Sequence, residues 1–207
     1  KERRAFTPAE FRLFKDNLIN LREPQARTIG LMMCYCGAQN NEIEGLERND
    51  VKLNTEVPYV FIRNNKHRIM GKGRSDRIIP LICNICQQLR NYIENHWDGE
   101  DLLFSRLKNV TWGAQALSDA LSSCVMNLSP DDDAILSPYS VRDTFTARYE
   151  AAGVEQRYGE YFMGHKSPQQ SATHDKYYKQ PKAVTELAPI MRRITKVQHW
   201  GWVEEFD

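Results

Sequence analysis

The sequence predicts an α+β chain, mainly α-helical with a small three-stranded antiparallel sheet. Three observations carry this. Apolar residues recur at helical spacing along most of the chain. The stretch Val57 to Leu81 changes to strand-like runs broken by Asn and Gly. After Pro80 the helical spacing returns through Ile82, Ile85, Leu89, Tyr92 and Ile93.

Each element has a local reason. Phe6, Thr7, Pro8, Ala9, Glu10 and Phe11 read as an apolar N′ residue, a Thr cap, Pro at N1, Glu at N3 and an apolar N4. That is a capping box with a hydrophobic staple, so a helix is expected to about Leu21, with Phe11, Phe14, Leu18 and Leu21 on one face. A second, mostly apolar helix follows from about Pro24 to Cys36 and ends at Gly37. Asn40 to Leu46 reads as a short third helix, and Arg48 to Asp50 as the turn that leaves it. The strands are expected at Val57–Ile62, Arg68–Met70 and Ile78–Ile79, separated by turns at Asn64–Asn65 and Gly71–Gly73. Helical spacing continues through Leu117, Ala120, Leu121, Cys124 and Val125. The Pro- and Asp-bearing loop 127–138 then leads into a helix from about Ser137 that carries Val141, Phe145 and Tyr149 and stops near Gly153. A further helix is expected from Val154 to Met163, a polar, turn-rich stretch from Gly164 to Lys179, and a last helix over Lys182–Val197.

With 207 residues and 41% hydrophobic content, the chain can bury enough surface to hold a core by packing. Disorder, collagen and coiled coil are excluded by the same composition. A single domain over 1–207 is expected, with 181–207 as its C-terminal helix and tail. No apolar run approaches the ~20 residues of a membrane span, and Lys1–Arg4 leads into a capped helix, so a soluble, intracellular protein is expected. Cys34, Cys36, Cys83, Cys86 and Cys124 form an odd set that a reducing compartment explains. Cys83 and Cys86 make a lone CxxC inside a helical pattern, which reads as packing and not as a metal or redox pair. The charge is nearly balanced, with 28 Lys+Arg against 27 Asp+Glu. It is segregated, however: Arg63, Lys66, Arg68, Lys72, Arg74 and Arg77 face Asp76 alone, while acidic residues gather at Asp131–Asp133 and near the C-terminus. A solvated hairpin face and a nucleic-acid contact are both open for that basic stretch.

Four sparse signals then fall in a particular order: Gly37-Ala-Gln-Asn-Asn-Glu-Ile-Glu-Gly-Leu46, Gly71-Lys72-Gly73 ahead of a returning strand, Ser137-Pro-Tyr-Ser-Val-Arg-Asp-Thr-Phe145, and Met163-Gly-His165-Lys-Ser with Tyr177 and Tyr178 beyond. In this order, over about residues 6 to 180, the chain resembles the catalytic domain of the tyrosine recombinases, the phage-integrase family. The resemblance implies cutting and rejoining of DNA by attack of a tyrosine hydroxyl on a backbone phosphate, through a 3′-phosphotyrosine and without metal, nucleotide or other cofactor. Such chemistry calls for preorganised cationic donors around a pentacoordinate phosphorus and a proton donor for the leaving oxygen.

Residue by residue, the resemblance places Arg142 at the family's second arginine, whose planar fork suits phosphate oxygens. Lys72 falls on the hairpin-turn lysine that protonates the 5′ leaving group, with Lys66 as its nearby competitor. His165 matches the phosphate-donating histidine. Position 174, where the family spacing puts its tyrosine, holds His174, and Ser167–Ala172 reads as a short insertion. Tyr177 is therefore favoured as nucleophile, with Tyr178 as the alternative. Lys66, Arg68, Arg74 and Tyr178 are expected to contact DNA.

Two departures stand out. Gln39 occupies the first arginine position, and an amide supplies neither the charge nor the fork; loss of one such donor typically costs ~10²- to 10³-fold in rate. Tyr139 stands where the family mostly has His or Lys, and its phenol can still hydrogen-bond a phosphate. Glu42 is expected to support the helix that carries position 39, a plain surface glutamate being the other reading. The resemblance further implies double-stranded DNA as partner, a homotetramer on paired sites, an N-terminal DNA-binding domain outside this chain, and the cytoplasm of a bacterial or phage-infected cell. A DNA-binding relative weakened or silenced by Gln39 is the alternative function, and a helical protein-binding adaptor is a third reading.

Overall fold

The computed structural model describes residues 2–63, 76–104, 113–126, 128, 135–165, 183–197 and 200. Among them the helices are α1 (Pro8–Ile19), α2 (Pro24–Cys36), α3 (Asn40–Glu44), α4 (Asn84–Asn95), α5 (Gly113–Ser123), α6 (Ser140–Ala151), α7 (Gln156–Met163) and α8 (Val184–Thr195). A 3-10 turn at Arg48–Asp50 leads into the sheet, whose strands are β1 (Val51–Lys52), β2 (Tyr59–Ile62) and β3 (Arg77–Pro80). The order is β1-β2-β3, all antiparallel, with Val60 opposite both Val51 and Ile79. Among the described residues no helix is long and apolar enough to cross a membrane.

Helix α2 is the centre. It is buried on nearly every face, from Ala26 and Ile29 through Met32, Met33 and Tyr35, as a helix apolar all round must be. Burial pushes the Cys34 thiol up to about 12 and that of Cys36 up to about 11, which makes both unreactive core residues. The Tyr35 hydroxyl donates to the Pro80 carbonyl (2.7 Å) and accepts from the Ile82 N–H (3.0 Å), fastening α2 to the exit of β3. Buried Arg148 of α6 donates to the Cys34 carbonyl at 2.6 Å, and its guanidinium lies over the rings of Phe11 and Phe145.

Helix α1 starts as its capping chemistry dictates. Thr7 Oγ1 accepts from the Glu10 N–H (3.3 Å), and the Glu10 carboxylate accepts from the Thr7 N–H (2.7 Å). Arg4 adds a bidentate pair to the same carboxylate, both contacts at 2.7 Å. The Arg4 hydrogen bond, ahead of the Thr7 contacts and against the cost of burial, lowers the Glu10 pKa to about 2. Because the folded value lies below the unfolded one, this stabilisation is complete above the ordinary carboxylate range and is lost as pH falls toward 2. Acid titration should therefore unfold Glu10→Gln with a shallower pH dependence than the parent between pH 4.5 and 2; identical acid profiles would refute the assignment. The ring of Phe6 stacks on Phe14, with centroids 5.1 Å apart, and Phe11 turns edge-on to Trp200. Trp200 thus packs on its own chain.

The structure revises two local expectations. The first strand of the sheet is Val51–Lys52, which follows the expected Arg48–Asp50 turn and lies outside the expected strands; a two-residue strand carries no alternation signal and exists through its pairing with β2. The expected strand at Arg68–Met70 lies outside the described residues. Cys83 precedes α4 instead of lying inside it, with φ +62°, and its thiol faces the Thr195 hydroxyl at 3.6 Å.

Candidate active site

Arg142 is the third residue of α6. Val141, Thr144, Phe145 and Arg148 form the buried face of that helix, so helical geometry turns Arg142 outward and leaves it partly exposed. Its guanidinium bridges two distant segments. One Nη donates to the Gly37 carbonyl at 2.7 Å and the other to the Met163 carbonyl at 2.6 Å. Both of these acceptors are neutral backbone carbonyls.

Gly37 ends α2 in the left-handed conformation, φ +65°, and a Cβ there would come within 2.8 Å of the Phe145 ring. The turn into α3 is thereby pressed against α6. Gln39 caps α3, and its N–H donates to Glu42 Oε2 at 2.9 Å. Beside it the exposed Tyr139 directs its hydroxyl to Asn40 Oδ1 at 3.3 Å.

Helix α7 ends at Gly164, φ +72°, whose N–H bonds to the Tyr161 carbonyl while the His165 N–H bonds to that of Glu160, at 2.9 and 2.8 Å. This turn presents His165 to solvent. Three sequence motifs separated by up to about 125 positions, around 39, 142 and 165, are thus joined through the Arg142 fork.

A second guanidinium lies beneath. Arg77, the first residue of β3, is 0% exposed; it pairs bidentately with Glu42 (2.9 and 3.0 Å), and its Nε donates to the Phe162 carbonyl at 2.7 Å. Two cations therefore meet the last carbonyls of α7, where the helix dipole favours positive charge. Glu42, 5% exposed, is no surface glutamate: it supports α3 through the Gln39 N–H and does so with Arg77 as its ionic partner. By position Arg77 belongs to the basic stretch that begins at Arg63, yet its side chain is buried and forms no part of a solvated face. Its place at the start of a strand that continues through Ile78 and Ile79 is legible in the sequence, whereas the burial of all four strand residues is not.

Asp143, next to Arg142, pairs with Arg3 at 2.8 Å, and the Phe6 N–H donates to Thr144 Oγ1 at 2.9 Å, so the N-terminal segment braces α6. Among the described residues, no group of three His, Cys, Asp or Glu is placed to hold a metal. Lys66, Arg68, Lys72, Arg74, Tyr177 and Tyr178 lie outside the described residues.

The profile of the Phage integrase family matches residues 12–183 of this chain. Among curated proteins, the tyrosine recombinase XerC of Halalkalibacterium halodurans is 26% identical over 142 residues, 63% of this chain and 43% of that protein. The chain thus spans less than half the length of this relative. Among solved structures, the XerA recombinase superposes with TM-score 0.63 at 19% identity, over 93% of this chain and 66% of that one. The XerH site-specific recombinase, bound to its difH substrate in a pre-cleavage complex, superposes with TM-score 0.60 at 17% identity, over 91% of this chain and 55% of that one. These likenesses assign the fold.

Proposed function

This chain belongs to the phage integrase family, and from that premise we propose that it cuts and rejoins DNA strands at specific sites through a 3′-phosphotyrosine intermediate. The observation that carries the proposal is the Arg142 guanidinium, which draws the segments bearing Gln39 and His165 together around a partly exposed cation. A cation held where three motif-bearing segments meet suits a site that stabilises charge on phosphate oxygens.

In this reading the hydroxyl oxygen of Tyr177 attacks the scissile phosphorus, releases its proton to solvent and displaces the 5′ oxygen. Lys72 gives that oxygen its proton, so a free 5′-hydroxyl leaves. Arg142 and His165 donate hydrogen bonds to the non-bridging oxygens as charge builds on them, and Tyr139 and Gln39 add neutral donors. A 5′-hydroxyl from the partner strand then gives its proton back to Lys72 and attacks the phosphotyrosine linkage, restoring the phosphodiester and releasing the tyrosine, which is reprotonated from solvent. One phosphoester bond is exchanged for another, so the chemistry requires neither nucleotide nor metal. Lys66, Arg68, Arg74 and Tyr178 contact the duplex, and exchange between two sites requires four protomers, a homotetramer on paired DNA. Phage or mobile-element DNA in a bacterial cytoplasm is the setting this implies. The relatives, named as recombinases, support the cutting enzyme over a non-cutting DNA binder.

The test is covalent trapping. The full-length protein is mixed with nicked duplexes taken from the DNA flanking its own gene, denatured and resolved by mass. An adduct on Tyr177 is expected; an adduct on Tyr178 would move the nucleophile by one residue. Gln39→Arg should raise the rate of adduct formation by about 10²- to 10³-fold, by restoring a charged fork. If neither protein forms an adduct, the proposal falls.

A further inference from the structure

We propose that buried Arg77 is a positioning residue for the active site, holding the turns of Gln39 and His165 and the root of the basic hairpin in one geometry. This rests on the recombinase reading above. Three segments meet at this one side chain. Its own strand, β3, is the return arm from the segment that contains Lys72. Its Nη atoms hold both oxygens of Glu42, and Glu42 Oε2 in turn accepts from the N–H of Gln39. Its Nε holds the Phe162 carbonyl, three residues before His165.

Gly164 is fitted to the same group. A Cβ at position 164 would lie 2.5 Å from one Arg77 Nη, so the glycine answers both the left-handed turn and the close approach of the guanidinium. The two arginines divide the work at the end of α7: Arg77 takes the Phe162 carbonyl and Arg142 takes that of Met163. A carboxylate neutralises Arg77, so the turn is held without a second strong cation competing for the phosphate. Only a guanidinium has the planar fork to serve a carboxylate and a carbonyl at once. Packing alone would not require it, since a buried ion pair can often be replaced by apolar residues at no loss of stability.

The experiment compares Arg77→Met/Glu42→Leu and Arg77→Lys with the parent, in the full-length protein. Melting temperature, affinity for the flanking-DNA duplexes, single-turnover adduct formation at saturating DNA, and the side-chain NMR signals of His165 and Arg142 are measured. The double variant is expected to stay folded and to bind DNA as the parent does. Its adduct rate should fall about 10²-fold, the usual cost of displacing catalytic groups by about an ångström. Arg77→Lys keeps the charge and loses the fork, so it should not restore the rate; it carries the same test should the double variant unfold. In both variants the His165 and Arg142 signals should move. Parental rates, or unmoved signals in a folded variant, would overturn the proposal. If the parent and Gln39→Arg both fail to form an adduct, the recombinase reading is lost, and the NMR signals by themselves decide whether Arg77 positions these turns.

Discussion

Replacing Arg142 with alanine is expected to lower adduct formation by about 10²- to 10³-fold, the cost of removing one charged donor from an oxyanion site. The loss has two sources. The phosphate loses its fork, and the carbonyls of Gly37 and Met163 lose the group that ties them together. The second source is structural and modest, since one such hydrogen bond contributes about 1 kcal/mol net. Arg142→Lys separates the two: the charge remains, so the salt dependence of DNA binding should persist while the rate stays low. Cleavage at the parental rate in Arg142→Ala would remove this residue from the site.

Glu42→Ala is expected to destabilise the fold by about 3–5 kcal/mol, because it leaves the Arg77 guanidinium buried without its carboxylate. Chemical denaturation measures this directly. Glu42→Gln should cost less, since its amide still accepts one hydrogen bond from Arg77. The expectation contrasts with surface pairs such as Arg157 with Glu155, where half-exposed partners contribute little and a substitution should barely register. A Glu42→Ala protein that denatures with the parent would mean that water reaches Arg77.

The four motifs could be read from the sequence because order along a chain is itself a sequence property. The segments of Gln39, Tyr139, Arg142 and His165 lie in one neighbourhood, while Lys72, Tyr177 and Tyr178 lie outside the described residues. Arg77 was legible as a residue and not as a role. Its partners are 35 and 85 positions away, and nothing local distinguishes a hairpin arginine that faces solvent from one that turns inward. Glu42 illustrates the same limit from the other side. Its capping contact to Gln39 spans three residues and follows from local spacing, while its ionic contact to Arg77 does not.

What the sequence determined by itself is whatever short-range chemistry decides. Thr7, Pro8 and Glu10 start α1, while Gly37, Gly153 and Gly164 close their turns, because caps and left-handed residues act over three or four positions. What the tertiary structure alone decided is the set of long-range acceptors. Arg142 binds two backbone carbonyls, a group every residue carries, so no pattern of side chains could name Gly37 and Met163 in advance. Strand β1 and the docking of Trp200 on Phe11 belong to the same class, since each exists because a distant surface was brought within reach.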